Sequence, residues 1–174
     1  MRSCVVCGSF YEFDKIKLEN KIKSCFVSEN GPGLPEKQSK KEIIGCIVPH
    51  AGYYFSGSCA AHAYKIIAES KKPKTIIIIG PNHHGYSSGI SDEDWQTPLG
   101  IVKTNQDLVK KIAENTELEI DNMVHEQEHS IEVQLPFLQY VLKDFKICCI
   151  CLGSDINLKK LGDNLSKIYT DELL

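Results

Sequence analysis

With 174 residues, 42% of them hydrophobic and 25% charged, and a formal net charge of -3, the chain has the size and composition of a single globular domain over residues 1–174. It has no basic stripe to hold nucleic acid and no apolar run long enough to span a bilayer, so neither partner is expected. The opening MRSCVVCGSF lacks the apolar core of a secretory signal and the closing DELL is not an ER-retention tetrapeptide, which predicts a cytoplasmic location.

Cys4 and Cys7 form a lone CxxC with no second pair at zinc-finger spacing, and the GSFYEF that follows is not the helix start of a thioredoxin-like motif. They read as packing or bystander residues, and the other cysteines, among them Cys148, Cys149 and Cys151 in an apolar run, as buried thiols in a reducing cytosol. From Asp14, a candidate N-cap, Ile16, Leu18, Ile22, Cys25 and Phe26 fall near helical spacing. The Gly-, Pro- and charge-rich stretch that follows predicts a flexible surface loop over residues 27–41.

Next come two short apolar runs that do not alternate, EIIGCIVP and KTIIIIGP, ending at Pro49 and Pro81. Each reads as a strand buried on two faces. Between them SGSCAAHAYKIIAES reads as a helix capped by Ser56 or Ser58, with Ala60, Ala61, Tyr64, Ile67 and Ala68 on one stripe and His62 on the polar side. Strand, helix, strand is a βαβ unit. TPLGIVKT then predicts a strand, NQDLVKKIAENT a helix, and HSIEVQLPFLQYVLKDF a longer helix kinked by Pro136, with Ile131, Leu135, Leu138, Leu142 and Phe145 as its core stripe. KICCICLG predicts another buried strand, and NLKKLGDNLSKIYTDELL a closing helix. The expected fold is α/β, a layered sandwich with a mostly parallel central sheet flanked by helices.

Ligands bind such sheets beyond the carboxyl ends of the strands, where IVPHAGYYFSG delivers His50 and IIIIGPNHHG delivers His83 and His84. If the two strands neighbour one another, His50 and His83 stand at one rim as candidate ligands of a single metal ion; the bland alternative is two hydrogen-bonded loop residues. In HEQEHSIEVQLP a helix would place His125, Glu128, His129 and Glu132 on one face, as a source of a general base or of a carboxylate behind a metal ligand, or simply as a solvated face. His129 is the candidate acid or base. Glu132, Tyr53 and His84 are candidate binding residues, against packing for Tyr53 and loop support for His84.

The segments IVPHAGYYFSGSCAAHAYK, IIIIGPNHHG, TPLG and EHSIEVQLPFLQ, taken in order, resemble signature segments of the Memo family, named for mediator of cell motility. The resemblance implies a fold similar to that of class III extradiol dioxygenases. It also implies a metal pocket in which His50 and His83 are ligands, and a motif containing His129. Members of the family continue past the position of Leu174, and the resemblance implies that a cysteine ligand lies in that later part. The fold is therefore expected to be incomplete at its C-terminus, with the third ligand to iron or copper absent from this chain. The expected function is a binding or signalling role linked to cell motility and the cytoskeleton, with a peptide or protein partner. The alternatives are an iron- or copper-dependent oxidoreductase of dioxygenase type acting on a small molecule and, third, a zinc hydrolase. An incomplete sheet also predicts self-association, with a homo-oligomer as one outcome.

Overall fold

The apolar run KICCICL forms the central strand of the sheet. The computed structural model describes residues 1–37, 39, 41–170 and 173–174. Strand β1 (Thr75–Pro81) pairs in parallel with β5 (Lys146–Leu152) along its whole length, from Thr75 opposite Lys146 to Pro81 opposite Leu152. The other edge of β5 takes β4 (Gly100–Thr104) in parallel at its start and β2 (Gly89–Ser91) antiparallel at its end, and β3 (Trp95–Thr97) closes antiparallel on β4. The main path is β1-β5-β4-β3. The predicted α/β layered architecture with a mostly parallel sheet is the one observed.

The run in β5 does not alternate because both of its faces are covered. Ile147 and Cys149 pack with Trp95, Ile131 and Leu135 on one side, while Cys148 and Ile150 pack on the other with residues of α3 (Gln106–Asn115) and α5 (Leu158–Ile168). Burial pushes the thiols of Cys148 and Cys151 up to about 12, so they stay protonated at neutral pH, as expected of packed thiols. On the first side, α1 (Lys15–Val27), α2 (Tyr53–Glu69) and α4 (Leu135–Val141) meet around Phe26, Tyr64 and Phe137. The side chain of Asp14 caps α1 at the Lys17 N–H as predicted, and Ala60, Ala61, Tyr64 and Ile67 form the buried stripe of α2. That helix starts earlier than expected, with Gly52 and not Ser56 or Ser58 as N-cap.

Several expectations are corrected. The segment EIIGCIVP is extended but belongs to no strand; Ile44 is 82% and Ile47 100% exposed. A strand exists only through its ladder, and here a groove of about 610 Å³ separates the segment from β1. The helix expected over 129–145 is only α4; the approach to it consists of 3₁₀ turns at Met123–His125 and Glu132–Gln134. Pro136 stands in the first turn of α4, where its missing N–H costs nothing, so it begins the helix and does not kink it. TPLGIVKT is a hairpin: Thr97 ends β3, and Gly100 opens β4 at φ +126°, a conformation open to glycine without strain. The closing helix stops at Ile168, and Leu173 and Leu174 lie beside β1. Cys4 and Cys7 are joined in a disulfide. Of the loop expected over 27–41, Val27 ends α1, positions 38 and 40 lie outside the described residues, and the described remainder carries no helix or strand.

Candidate metal centre

Three histidines from distant parts of the chain converge beyond the carboxyl end of β1. His50 precedes α2, His83 follows β1, and His129 lies in the irregular crossing ahead of α4. One ring nitrogen of each lies within 4.8 Å of the others. Ring centroids stand 5.1 Å apart for His50 and His83, 5.9 Å for His50 and His129, and 4.7 Å for His83 and His129, which stack at 19°. The neighbouring strands expected to bring His50 and His83 together do not exist as such, since residues 42–49 are unpaired with β1. The N-terminal start of α2 performs that placement: the N–H of Tyr53 donates to the carbonyl of Phe10, tying the start of α2 to the N-terminal segment.

Glu128 organises two members of the trio. Its side chain is fully buried, and it accepts from His83 Nδ1 at 3.0 Å and from the backbone N–H groups of His83, His129 and Ser130 at 2.6, 2.8 and 2.8 Å. Burial acts to raise the carboxyl pKa, but these donors outweigh it and hold Glu128 at about 2. An ionised carboxylate only accepts, so His83 Nδ1 must carry the proton, which leaves the Nε2 lone pair free for a metal ion. His129 is held below the ordinary imidazole range by burial first; Glu128 acts in the opposite direction, and His83, His50 and His84 push it down further. It is thus neutral at pH 7, the form that ligates.

A buried ion pair stands behind the trio. Arg2 Nη1 donates to Glu132 at 2.8 Å, with side-chain exposures of 5% and 0%. Glu132 also accepts from the Tyr11 hydroxyl at 2.6 Å and from the N–H groups of Val5 and Val6. Arg2 further donates from Nε to the carbonyl of His125 at 2.8 Å and from Nη2 to that of Glu128 at 2.5 Å, with its guanidinium 4.0 Å from the Trp95 ring centroid. Residues 2–11 therefore clamp residues 125–132.

Not all the candidate residues meet at the trio. Glu132 is committed to Arg2, Tyr11 and backbone amides, because no helix puts it on the face of Glu128 and His129. Tyr53 is 4% exposed and donates its hydroxyl to the Val133 carbonyl, packing against Phe137. His84 is exposed, its N–H bonded to Asn82 Oδ1, and with Glu128 and His129 it forms a second cluster of metal-ligand type. His125 is fully buried; burial first, then Arg2, lowers it to about 4, so it is neutral. His62 is on the surface as expected. Arg2 and Tyr11 escaped sequence reasoning because their partners lie more than a hundred residues away and no local pattern marks them.

A family model described as Memo-like protein matches residues 2–173. This chain belongs to the Memo-like family. MEMO1 family proteins of Methanopyrus kandleri and Metallosphaera sedula are 44% and 46% identical to it, over 87% and 84% of this chain and 56% and 54% of their own lengths. The MEMO1 family protein of Caldivirga maquilingensis is 41% identical over 96% of this chain and 62% of its own. The chain thus spans little more than half the length of the curated relatives it matches. No helix among the described residues is long and apolar enough to cross a membrane.

In this Memo-like chain the trio depends on the close approach of β1 to the 128–131 turn at Gly80. A Cβ there would meet Ser130 Oγ at 2.3 Å and Ile131 Cγ1 at 2.9 Å. Gly80→Ala is expected to cost about 1–3 kcal/mol in urea denaturation. It should also displace the His129 ring, seen as a changed chemical shift of that imidazole.

Proposed function

We propose that His50, His83 and His129 together hold one divalent transition-metal ion, with Glu128 orienting His83. The observation that supports this most directly is the meeting of three imidazole nitrogens within 4.8 Å, one of them with its tautomer set by a buried carboxylate. The donor set fits: three imidazole nitrogens suit zinc, copper or iron, and a mononuclear site of three protein ligands keeps a position for substrate. This reading revises the expectation that a third ligand lies outside the chain, since His129 serves as one. It moves His129 from the role of acid or base to that of ligand.

Such an ion supplies Lewis acidity or, as iron or copper, one-electron chemistry to a substrate bound beside it. The protein's own part is to position the rings. Glu128 holds His83 at Nδ1, Phe10 packs on His129 with ring centroids 4.7 Å apart, and Asn82 steadies the loop that carries His84. A metal-dependent oxidoreductase acting on a small molecule is the function that this geometry favours. The role in cell motility and the cytoskeleton, with a peptide or protein partner, rests on the family resemblance alone.

Titration calorimetry with zinc, copper(II) and iron(II) tests the site. One equivalent is expected to bind in the micromolar range or tighter. His50→Ala, His83→Ala and His129→Ala should each weaken it on the order of 100-fold. Binding should weaken as pH falls, because a protonated imidazole cannot ligate; burial holds the pKa of His129 below the ordinary imidazole value, so that ligand stays available below that value. Affinity no better than millimolar for all these ions would sink the proposal. Oxygen uptake by the iron(II)-loaded protein with a catechol separates the oxidoreductase reading from simple metal binding.

A further inference from the structure

The residues between Cys4 and Cys7 form a small turn around a carboxylate. Val5 N–H donates to both oxygens of Glu132, at 3.1 and 2.9 Å, and Val6 N–H to Oε1 at 3.1 Å. In an extended strand successive N–H groups point to opposite sides, so two in a row reach one anion only where the chain curves around it. The Cys4–Cys7 disulfide holds that curve: it brings the two Cα atoms to 5.8 Å, against about 10 Å across three extended peptide units. Closing so short a loop restrains the unfolded chain little, so the effect of the bridge falls on the local shape of the turn. From there the segment runs on to the histidine trio. Gly8 N–H donates to the Tyr11 carbonyl at 2.7 Å, Tyr11 gives its hydroxyl to the same Glu132, Phe10 packs on the His129 ring, and the Phe10 carbonyl takes the Tyr53 N–H at 2.8 Å where α2 begins, just after His50. Cys4 and Cys7 are themselves only half-buried, which leaves the bridge within reach of a reagent from solvent.

We propose that Cys4 and Cys7 are a reversible redox site, a thiol–disulfide exchange pair that takes a dithiol as reductant and whose state sets the shape of the histidine trio. A thiolate of the dithiol attacks one sulfur of the bridge and forms a mixed disulfide, releasing the other cysteine; its second thiolate then displaces the remaining one. Two electrons pass to the protein, both cysteines end as thiols carrying the two protons that the dithiol gives up, and the dithiol leaves as a disulfide. The same exchange run backwards, with an oxidised dithiol, closes the bridge. Once it is open the turn is free to extend, the Val5 and Val6 amides leave Glu132, and that carboxylate keeps Arg2 and Tyr11. Phe10 then hangs from an unfixed turn, which loosens its packing on His129 and its hold on the start of α2. The change in residues 4–11 stands apart from the metal reading; the consequence for metal affinity rests on it.

The test equilibrates the protein with oxidised or with reduced dithiothreitol, which is then removed by desalting without air. Alkylation and peptide mass mapping report the state of Cys4 and Cys7 apart from the other cysteines. Hydrogen exchange at the Val5 and Val6 amides, the imidazole signal of His129 and a zinc titration are read in both states and in the Cys4→Ser, Cys7→Ser double variant. The amides of Cys148 to Ile150 report in each case that the rest is folded. Reduction is expected to speed exchange at Val5 and Val6 on the order of 10-fold, to shift the His129 signal and to weaken zinc binding about 10-fold. Reoxidation should restore all three, and the double variant should match the reduced protein and ignore the dithiol. The proposal is overturned if the oxidised protein forms no bridge, or if the bridge stays closed in excess dithiol. It is equally overturned if the bridge opens and either the Val5 and Val6 exchange or the His129 signal stays as it was, or if zinc binds equally tightly in both states. No zinc binding in either state would sink the metal-centre reading alone, and the exchange rates and the His129 signal would still decide this one.

Discussion

Glu128→Gln is expected to loosen His83 and the 128–130 turn in one step, because a single carboxylate accepts from the His83 ring and from three backbone N–H groups. A glutamine offers one acceptor oxygen and sets an NH2 against donors that have nowhere else to turn, at a cost on the order of 3 kcal/mol. The affinity for a metal ion at the trio should fall 10- to 100-fold even though no ligand is removed, since His83 loses its fixed tautomer. The pH dependence gives a second readout. The folded-state pKa of Glu128 lies below its ordinary value, at about 2 against 4.5, so its contribution is complete above pH 4.5 and is lost as pH falls toward 2. The shift corresponds to about 3 kcal/mol, so Glu128→Gln should flatten that part of a stability profile measured by urea denaturation. A variant with an unchanged acid limb would show that Glu128 carries no such charge.

Arg2→Met is expected to destabilise the fold by about 3–5 kcal/mol, the range for breaking a buried ion pair from one side. The methionine still covers Trp95, so the loss reports the charge and its donors more than the packing. Glu132 would keep Tyr11 and two amides but face no cation, and the carbonyls of His125 and Glu128 would lose their donor. Adding Glu132→Gln to Arg2→Met should cost less than the two single losses summed, because it removes the charge left unpaired. Denaturant midpoints of the four proteins check this. Strict additivity would mean that the pair does not act as a unit. Both residues stand behind the trio, so metal affinity in Arg2→Met should weaken only in proportion to the displacement of residues 125–132.

The two predictions concern residues of unequal legibility. Glu128 could be suspected from HEQEHSIEVQLP, as a carboxylate near a histidine that follows a strand end. The suspicion assumed a helical face that is not there. Its carboxylate reaches His83 because the chain at 128–130 turns its amides inward, a conformation that no 3.6-residue pattern encodes. Arg2 stood in an N-terminal stretch with nothing to mark it. A guanidinium is buried only when the rest of the chain supplies acceptors, and here they lie at positions 125, 128 and 132. The same limit explains EIIGCIVP. Its composition matches that of IIIIG and KICCICL, yet an apolar run becomes a strand only when another backbone satisfies its N–H and C=O groups.

What the sequence determined by itself is what depends on near neighbours: the existence of the strand over Ile76–Ile79, though its Ile79 is exposed and not buried as expected, the two-faced strand around Ile147–Ile150, the buried stripe of α2, the Asp14 cap, and the delivery of His83 just past a strand end. These follow from side-chain periodicity and local hydrogen bonding, which a single sequence records directly. Only the tertiary structure decided that His129 joins His50 and His83, that Glu128 orients one of them, that Glu132 belongs to Arg2, and that residues 42–49 do not pair with β1. Each of these depends on how groups many residues apart are brought together, and for Glu128 and Glu132 burial then makes a correctly paired charge stable where an unpaired one would not be.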